Sequence, residues 1–331
     1  MKRRFPSIHT IQFQCSPLST AAAITTQFQM ACSFQANAEN TICVLLLDEV
    51  GLAEHSPDMP LKALHAILVD PPVAVVGLSN WVLDPAKMNR AVLLMRPQPS
   101  EDDLVLTAQR IIGPVNQGSS VAVADGSSLA RTMSAARRLT KWLSPLALAY
   151  HEVYTTQKGR DFVGMRDYYQ LVKLLRKTLS QNGGGELTPH ILTIVLCRSF
   201  GGKMEMLTQI LTASFRRCFD AEPPTSMPNV RELIQNNLGD ESARHLMLLT
   251  RNGSALPLLF ATGLIEASTP VLFGSSYADD QTELFLIKQI NAVKDAMAEG
   301  TTIVLIETSN IYESLVASRN LRYNMIYRDA F

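Results

Sequence analysis

The sequence has no excess of charge: thirty Lys and Arg stand against thirty Asp and Glu in 331 residues. A balanced chain of this kind has no global field to favour nucleic acid or an anionic membrane. Cysteine is scarce and scattered, at Cys15, Cys32, Cys43, Cys197 and Cys218. An odd count without CxxC spacing argues against a disulfide scaffold and a zinc module, and it suits a reducing compartment. No apolar run approaches the roughly 18 residues that would span a bilayer. Acidic residues are missing from Met1 to Ala38, behind Lys2, Arg3 and Arg4, a composition shared by mitochondrial transit peptides. The basic residues stop at position 4, however, and IHTIQFQCS alternates apolar and polar side chains, which predicts a strand instead. No continuous apolar stretch follows MKRR, so a secretory signal is not expected either. The most consequential absence is GxxxxGK[ST], the loop whose backbone amides and lysine cradle phosphates. FGGKM at 200–204 comes nearest, but Cys197 stands where the first glycine belongs and Met204 where Ser or Thr belongs.

What is present is a chain with 47% apolar and 18% charged residues, enough for sizeable cores and more than one domain. Residues 1–98 alternate strand and helix signals. IHTIQFQC reads as a strand and AAAITTQFQMACSF as a helix. TICVLLL, PVAVVGLSN and AVLLM are short continuous apolar runs, as expected of strands covered on both faces. Between them PLKALHAILVD carries Leu61, Leu64, Ile67 and Leu68 at helical spacing, with Ser56 or Asp58 as cap and Pro57 or Pro60 in the first turn. DPAKMN is a further short helix. Residues 99–219 predict an all-helical unit. It opens on a capping-box pair, Ser100 and Asp103, is interrupted at Pro145, and is broken by the loop QNGGGELT. DAEPPTSMPN at 220–229 has linker composition. From 230 to 331 the α/β alternation restarts, and VLLLDE (44–49) aligns with IVLIET (303–308) as an internal repeat.

Chemistry is expected at the strand ends, because ligands of open α/β sheets bind beyond the carboxyl ends of the strands. In CVLLLDEVGLAE the apolar run stops at Asp48 and Glu49. The pattern is the Walker-B signal of P-loop NTPases: the aspartate holds Mg2+ through its water shell and the glutamate polarises the attacking water. A solvated acidic turn would look the same. The next strand ends in Asn80, an amide able to orient the lytic water (sensor 1), or else a cap for the DPAK helix. Arg90 closes that helix. It suits an arginine finger reaching a neighbour's γ-phosphate, or a cation compensating the helix dipole. Arg166 opens a lid helix, where it would reach back to the nucleotide as sensor 2, or pair with Asp167 at the surface.

In this order and on these elements the residues match the AAA+ plan: a parallel α/β core of P-loop NTPase type with an all-helical lid, followed by part of a second α/β AAA+ module. Four runs, QFQCSPLST, LDEVGLAEHSPDMPLKALH, GLSNWVLDPAKMNRAVLL and GRDFVGMRDYYQLVK, resemble the mysterin family. These are giant RING-finger proteins with AAA+ modules in one chain and ubiquitin-ligase activity. NLGDESARHLMLLTRNGSAL and VLFGSSYADDQ resemble the start of that family's following module. The resemblance implies Asp48 and Glu49 as Walker B, with Asp48 on Mg2+ through water, Asn80 as sensor 1, Arg90 at the finger position and Arg166 as sensor 2. It implies ATP and Mg2+ as cofactors, and neighbouring AAA+ modules and the ubiquitin machinery as partners. It also implies a cytosolic setting, with lipid-droplet association a family trait.

In that family the phosphate loop precedes the QFQCSPLST strand, so the first module is expected to lack its cradle. The second module is expected to be degenerate. Its LLTRNGSALPLL has no GK[ST], Thr308 stands in the polarising position, and no sensor-1 strand is expected after it. The tail VASRNLRYNMIYRDAF lacks the family's usual continuation. The leading expectation is the ATPase-motor portion of a mysterin-like ubiquitin ligase. The alternatives are a non-catalytic AAA+-derived interaction module, or part of a dynein-like or MoxR-like machine, since one fold serves many functions.

Overall fold

A computed structural model describes residues 6–80, 82–113, 128–157, 163–183, 185–240, 243, 246–250, 253–274, 277, 282–308 and 325–327. The chain divides into two compact units, Met1–Pro97 and Gln98–Phe331. It is a mixed α/β protein with parallel sheets and many helices.

The first unit is built on β1 (Ser7–Gln14), α1 (Ala21–Asn37), β2 (Thr41–Asp48), α2 (Ala63–Ile67), β3 (Ala74–Gly77) and α3 (Pro85–Met88). The strands form a parallel sheet in the order β1-β2-β3, with Gln14 opposite Asp48 and Leu47 opposite Gly77. Because side chains alternate along a strand, Cys43, Leu45 and Leu47 bury one face of β2. There they join Ile24 and Ala31 of α1 and Leu61 and Leu64 of the following segment in one core. The Thr20 side chain caps α1 through the Ala23 amide. The other face is thinly covered: Ile8, Ile42 and Val76 are exposed. Coverage of both faces, expected from the apolar runs, therefore holds for one face alone.

Two further expectations change in this unit. AVLLM forms no strand, and Val92 and Leu94 are each 88% exposed. An extended run needs a ladder partner for its N–H and C=O groups, and among the described residues the three-stranded sheet ends at β3. The PLKALHAI helix is shorter than its stripe: a 3-10 turn at Pro60–Lys62 leads into α2, with Met59 at φ 45° ahead of it and no side-chain cap. Ser56 instead donates to the Ser19 carbonyl at 2.9 Å.

In the second unit α4 (Glu101–Ile112), α5 (Ser128–Thr156), α6 (Met165–Gln181), α7 (Pro189–Phe200) and α8 (Met204–Phe219) share one large core. The Ser100–Asp103 capping box is present in both directions. The α6 stripe of Tyr168, Leu171, Val172 and Leu175 is buried as expected, with Leu179 added. Tyr168 donates its hydroxyl to the Leu104 carbonyl at 3.1 Å, and Tyr150 donates to the Gly164 carbonyl at 2.5 Å. Burial pushes both phenols well above their ordinary value. Pro145 does not interrupt α5, which runs through it. The packing of Leu143, Leu146 and Ala147 in the shared core outweighs the one backbone bond a proline removes. FGGKM forms the turn between α7 and α8, not a loop after a strand.

The α/β part of this unit comprises α9 (Val230–Leu238), β4 (Leu246–Met247), α10 (Ala255–Ala261), β5 (Val271–Phe273), α11 (Glu283–Glu299), β6 (Ile303–Ile306) and β7 (Met325–Tyr327). Its parallel strands follow the order β4-β7-β6-β5. Helix α9 joins the lid to this sheet. Leu233 packs on the lid core, whereas Ile234 packs with Leu259, Ile265 and Val304. Beyond α9, Asp240 is 8% exposed and is held by Lys177 of α6 and by Arg198 of α7, the latter at 2.9 Å.

The repeat is real, but its register differs from the sequence alignment. Cys15 donates its backbone N–H to the Asp48 carbonyl just as Gly274 donates to the Ile306 carbonyl. Glu49 and Glu307, next in line, share the left-handed φ of 54°. Val50 and Thr308, the residues after them, are both buried. Glu307 thus occupies the place of Glu49, and Ile306 that of Asp48. The expectation that Thr308 replaces the glutamate is corrected: the second module keeps that carboxylate position and loses the aspartate. A second correction concerns its last strand. β7 lies beside β6 as β3 lies beside β2, so the strand thought to be absent is present within residues 316–331. The rest of that tail, and Arg251 and Asn252 of the TRNGSA loop, lie outside the described residues.

Candidate functional site

The strands of the first sheet are parallel, so their C-terminal ends share one edge, and the chain places its acids there. Asp48 ends β2 and is 9% exposed. Its Oδ1 accepts the Glu49 backbone N–H at 3.1 Å, and its Oδ2 accepts the Gln12 side-chain amide at 3.4 Å. Glu49 turns out of the strand at φ 54°. That conformation costs a side-chain-bearing residue on the order of 1 kcal/mol and is held by its neighbours. Val50 donates to the Leu78 carbonyl and Leu78 to the Leu47 carbonyl, both at 2.9 Å. The turn aims the Glu49 side chain at the end of the next strand, where Asn80 Nδ2 donates to Glu49 Oε2 at 2.9 Å. Three of the residues expected from sequence, Asp48, Glu49 and Asn80, therefore meet.

The two arginines are placed differently. Arg90 is exposed, and its guanidinium donates to the Ala86 carbonyl at 2.6 Å, at the C-terminal end of α3. Arg166 is exposed in the first turn of α6, in the other compact unit. It does not pair with Asp167, whose Oδ2 accepts the Gly164 N–H at 2.8 Å and caps that helix.

Sequence reasoning missed three groups near this edge. Gln12 is one; its signal was the alternation of β1, which puts it on the Asp48 face once the register is known. Cys15 is another. Burial first, and the Asp48 charge second, push its thiol up to about 12, so it stays protonated and is no nucleophile at neutral pH. The third is Glu54, which accepts from Lys87 at 2.5 Å and from the Asp84 N–H at 3.1 Å, tying the turn after Glu49 to α3. These bonds, led by Lys87, hold its carboxyl below the ordinary value of 4.5.

Carboxylate and amide oxygens suit a hard, hydrated divalent cation. Among the described residues no group of three or more His, Cys, Asp or Glu forms a metal cage. No described helix is long and apolar enough to cross a membrane.

Two models of the RNF213 AAA domain match the chain, one over residues 1–103 and another over 235–331. The chain belongs to the RNF213 AAA family. Similarity to RNF213 proteins also covers the lid between those two domains. The E3 ubiquitin-protein ligase RNF213 of Mus musculus is 34% identical over 97% of the chain. The rnf213-beta ligase of Danio rerio and the Homo sapiens RNF213 are each 32% identical over 97% of it. The chain spans about 6% of the length of each of these relatives. The family expected from DEVGLAE and SNWVLDPAKMNR is thus the family matched.

Proposed function

We propose that the first unit supplies the metal-and-water half of an ATP site in the AAA+ motor of an RNF213-type ubiquitin ligase. The hydrogen bond between Asn80 and Glu49, one residue beyond Asp48 at the C-terminal edge of the sheet, carries this reading. In it Asp48 holds Mg2+ through water, Glu49 polarises the attacking water and Asn80 keeps that water in line with the γ-phosphate. Mg2+, when bound, neutralises charge building on the phosphate oxygens. Arg90 would leave Ala86 to reach the nucleotide of an adjacent module, and Arg166 would contact the nucleotide from the lid.

The phosphate cradle comes from elsewhere. Parallel sheets are normally covered on both faces, yet among the described residues one face is thinly covered and no strand pairs with the outer edge of β3. The second unit supplies the comparison: there β4 occupies the corresponding edge, and Leu256, Leu259 and Phe260 of α10 cover the corresponding face. A strand, phosphate loop and helix of the same kind would complete the first module. The second module reads as a non-catalytic platform, because Ile306 cannot hold a cation. Ubiquitin transfer belongs to other parts of such a ligase.

The expected behaviour is weak ATP binding and negligible turnover by the 331-residue chain. Joined to a segment bearing a GK[ST] loop, the chain should hydrolyse ATP, and Glu49→Gln should lower that rate at least about 100-fold. Steady turnover by the chain alone, abolished by Glu49→Gln, would refute the reading; failure of the joined protein to turn over would favour a binding module throughout.

A further inference from the structure

Gln12 sits in the middle of a parallel strand, where Val or Ile packs better. It lies on the same face as Leu46 and Asp48, opposite Leu46 in the ladder, and its amide reaches past Leu46 to Asp48 Oδ2 at 3.4 Å. With Oδ1 taken by the Glu49 N–H at 3.1 Å, donors on both oxygens fix the plane of the carboxylate as well as its position.

The second module provides an internal control. Val271 pairs with Val304 as Gln12 pairs with Leu46, and Phe273 pairs with Ile306 as Gln14 pairs with Asp48. Where the acid has become Ile306, the position of Gln12 has become Val271. The sheet therefore forms without the amide, and the amide occurs in the module that keeps its aspartate. We propose that Gln12 is a positioning residue that orients the Asp48 carboxylate toward the hydrated divalent cation of a nucleotide. This rests on the reading that Asp48 faces such a cation.

The test uses the 331-residue chain, methyl-labelled, and Mn2+·ATP as probe, since paramagnetic broadening reports even millimolar binding. Broadening is expected at Leu47 and Val50, beside Asp48 and Glu49 in the chain. Gln12→Val installs the residue of the second module and should fold; an unchanged methyl spectrum checks this. It should weaken Mn2+·ATP about tenfold, the scale seen when an outer partner of a metal ligand is removed. Binding of ATP in excess chelator should stay unchanged. If Gln12→Val weakens both equally, or neither, while Asp48→Asn still abolishes the broadening, the positioning role is wrong and the reading of Asp48 stands. If Asp48→Asn leaves the broadening intact, or the wild-type chain shows none near Leu47, the reading fails and the inference with it.

Discussion

Glu54 shows how a single side chain can tie a turn to the candidate site. It lies five residues after Glu49 and accepts from Lys87 and from the Asp84 N–H, so the chain between the two strand ends is held against α3. Its carboxyl is held below 4.5, chiefly by the Lys87 bond. The folded state therefore prefers the ionised form: the stabilisation is complete above about pH 5 and is lost as pH falls through the folded value below 4.5. Lys87→Met should lower stability at pH 7 and flatten the acid limb, as read from urea midpoints between pH 7 and pH 3.5. An unchanged acid limb would mean that Lys87 does not hold Glu54. At this scale the sequence was most informative where polar residues end buried runs, as for Asp48, Glu49 and Asn80, which the fold brings together. Gln12 and Glu54 were silent, because amides and carboxylates are common on surfaces and nothing in their order names a partner.

Strand register is the property that one-dimensional alignment handles least well. VLLLDE and IVLIET match apolar for apolar at one offset, but the fold pairs them one residue away from it, and the difference decides which acid the second module has lost. A slip of one residue turns every side chain to the opposite face, and the strand pairing, with Phe273 opposite Ile306 as Gln14 is opposite Asp48, settles what letters cannot. Ile303 and Leu305 are buried like Leu45 and Leu47, and Thr308 like Val50. The same register explains Gly274, whose added Cβ would lie 1.6 Å from the Glu307 carbonyl oxygen. Gly274→Ala is expected to push the ends of β5 and β6 apart and to cost about 1–3 kcal/mol, the usual scale of overpacking, measured as a shift in the urea midpoint of the second unit. A loss below about 0.5 kcal/mol, within the range of neutral surface changes, would show that this close approach does not exist. Long helices were legible from their periodicity, α6 above all. The fate of Pro145 was not, because whether a helix survives a proline depends on what packs around it.

Across the whole molecule the lid goes with the module that follows it: residues 98–331 form one compact unit, held by Leu233 on the lid core and by the pairing of Asp240 with Lys177 and Arg198. The first unit has a smaller core and an open sheet face, so it should unfold first. In a Trp81→Phe variant, Trp142, packed on Phe219, reports the lid. Its fluorescence should follow only the later of two transitions seen by circular dichroism, with midpoints separated by about 1 M urea, on the order of 1–3 kcal/mol. A single coincident transition would show that the two units unfold together. Composition, apolar periodicity and the DE and SN strand ends were enough to announce an α/β core, a helical lid and a second α/β module, because burial patterns and backbone preferences are local. Which face of the first sheet stays open, which acid the repeat lost, and which amide backs Asp48 emerged from the fold, because each depends on strands and helices far apart in the chain being brought side by side.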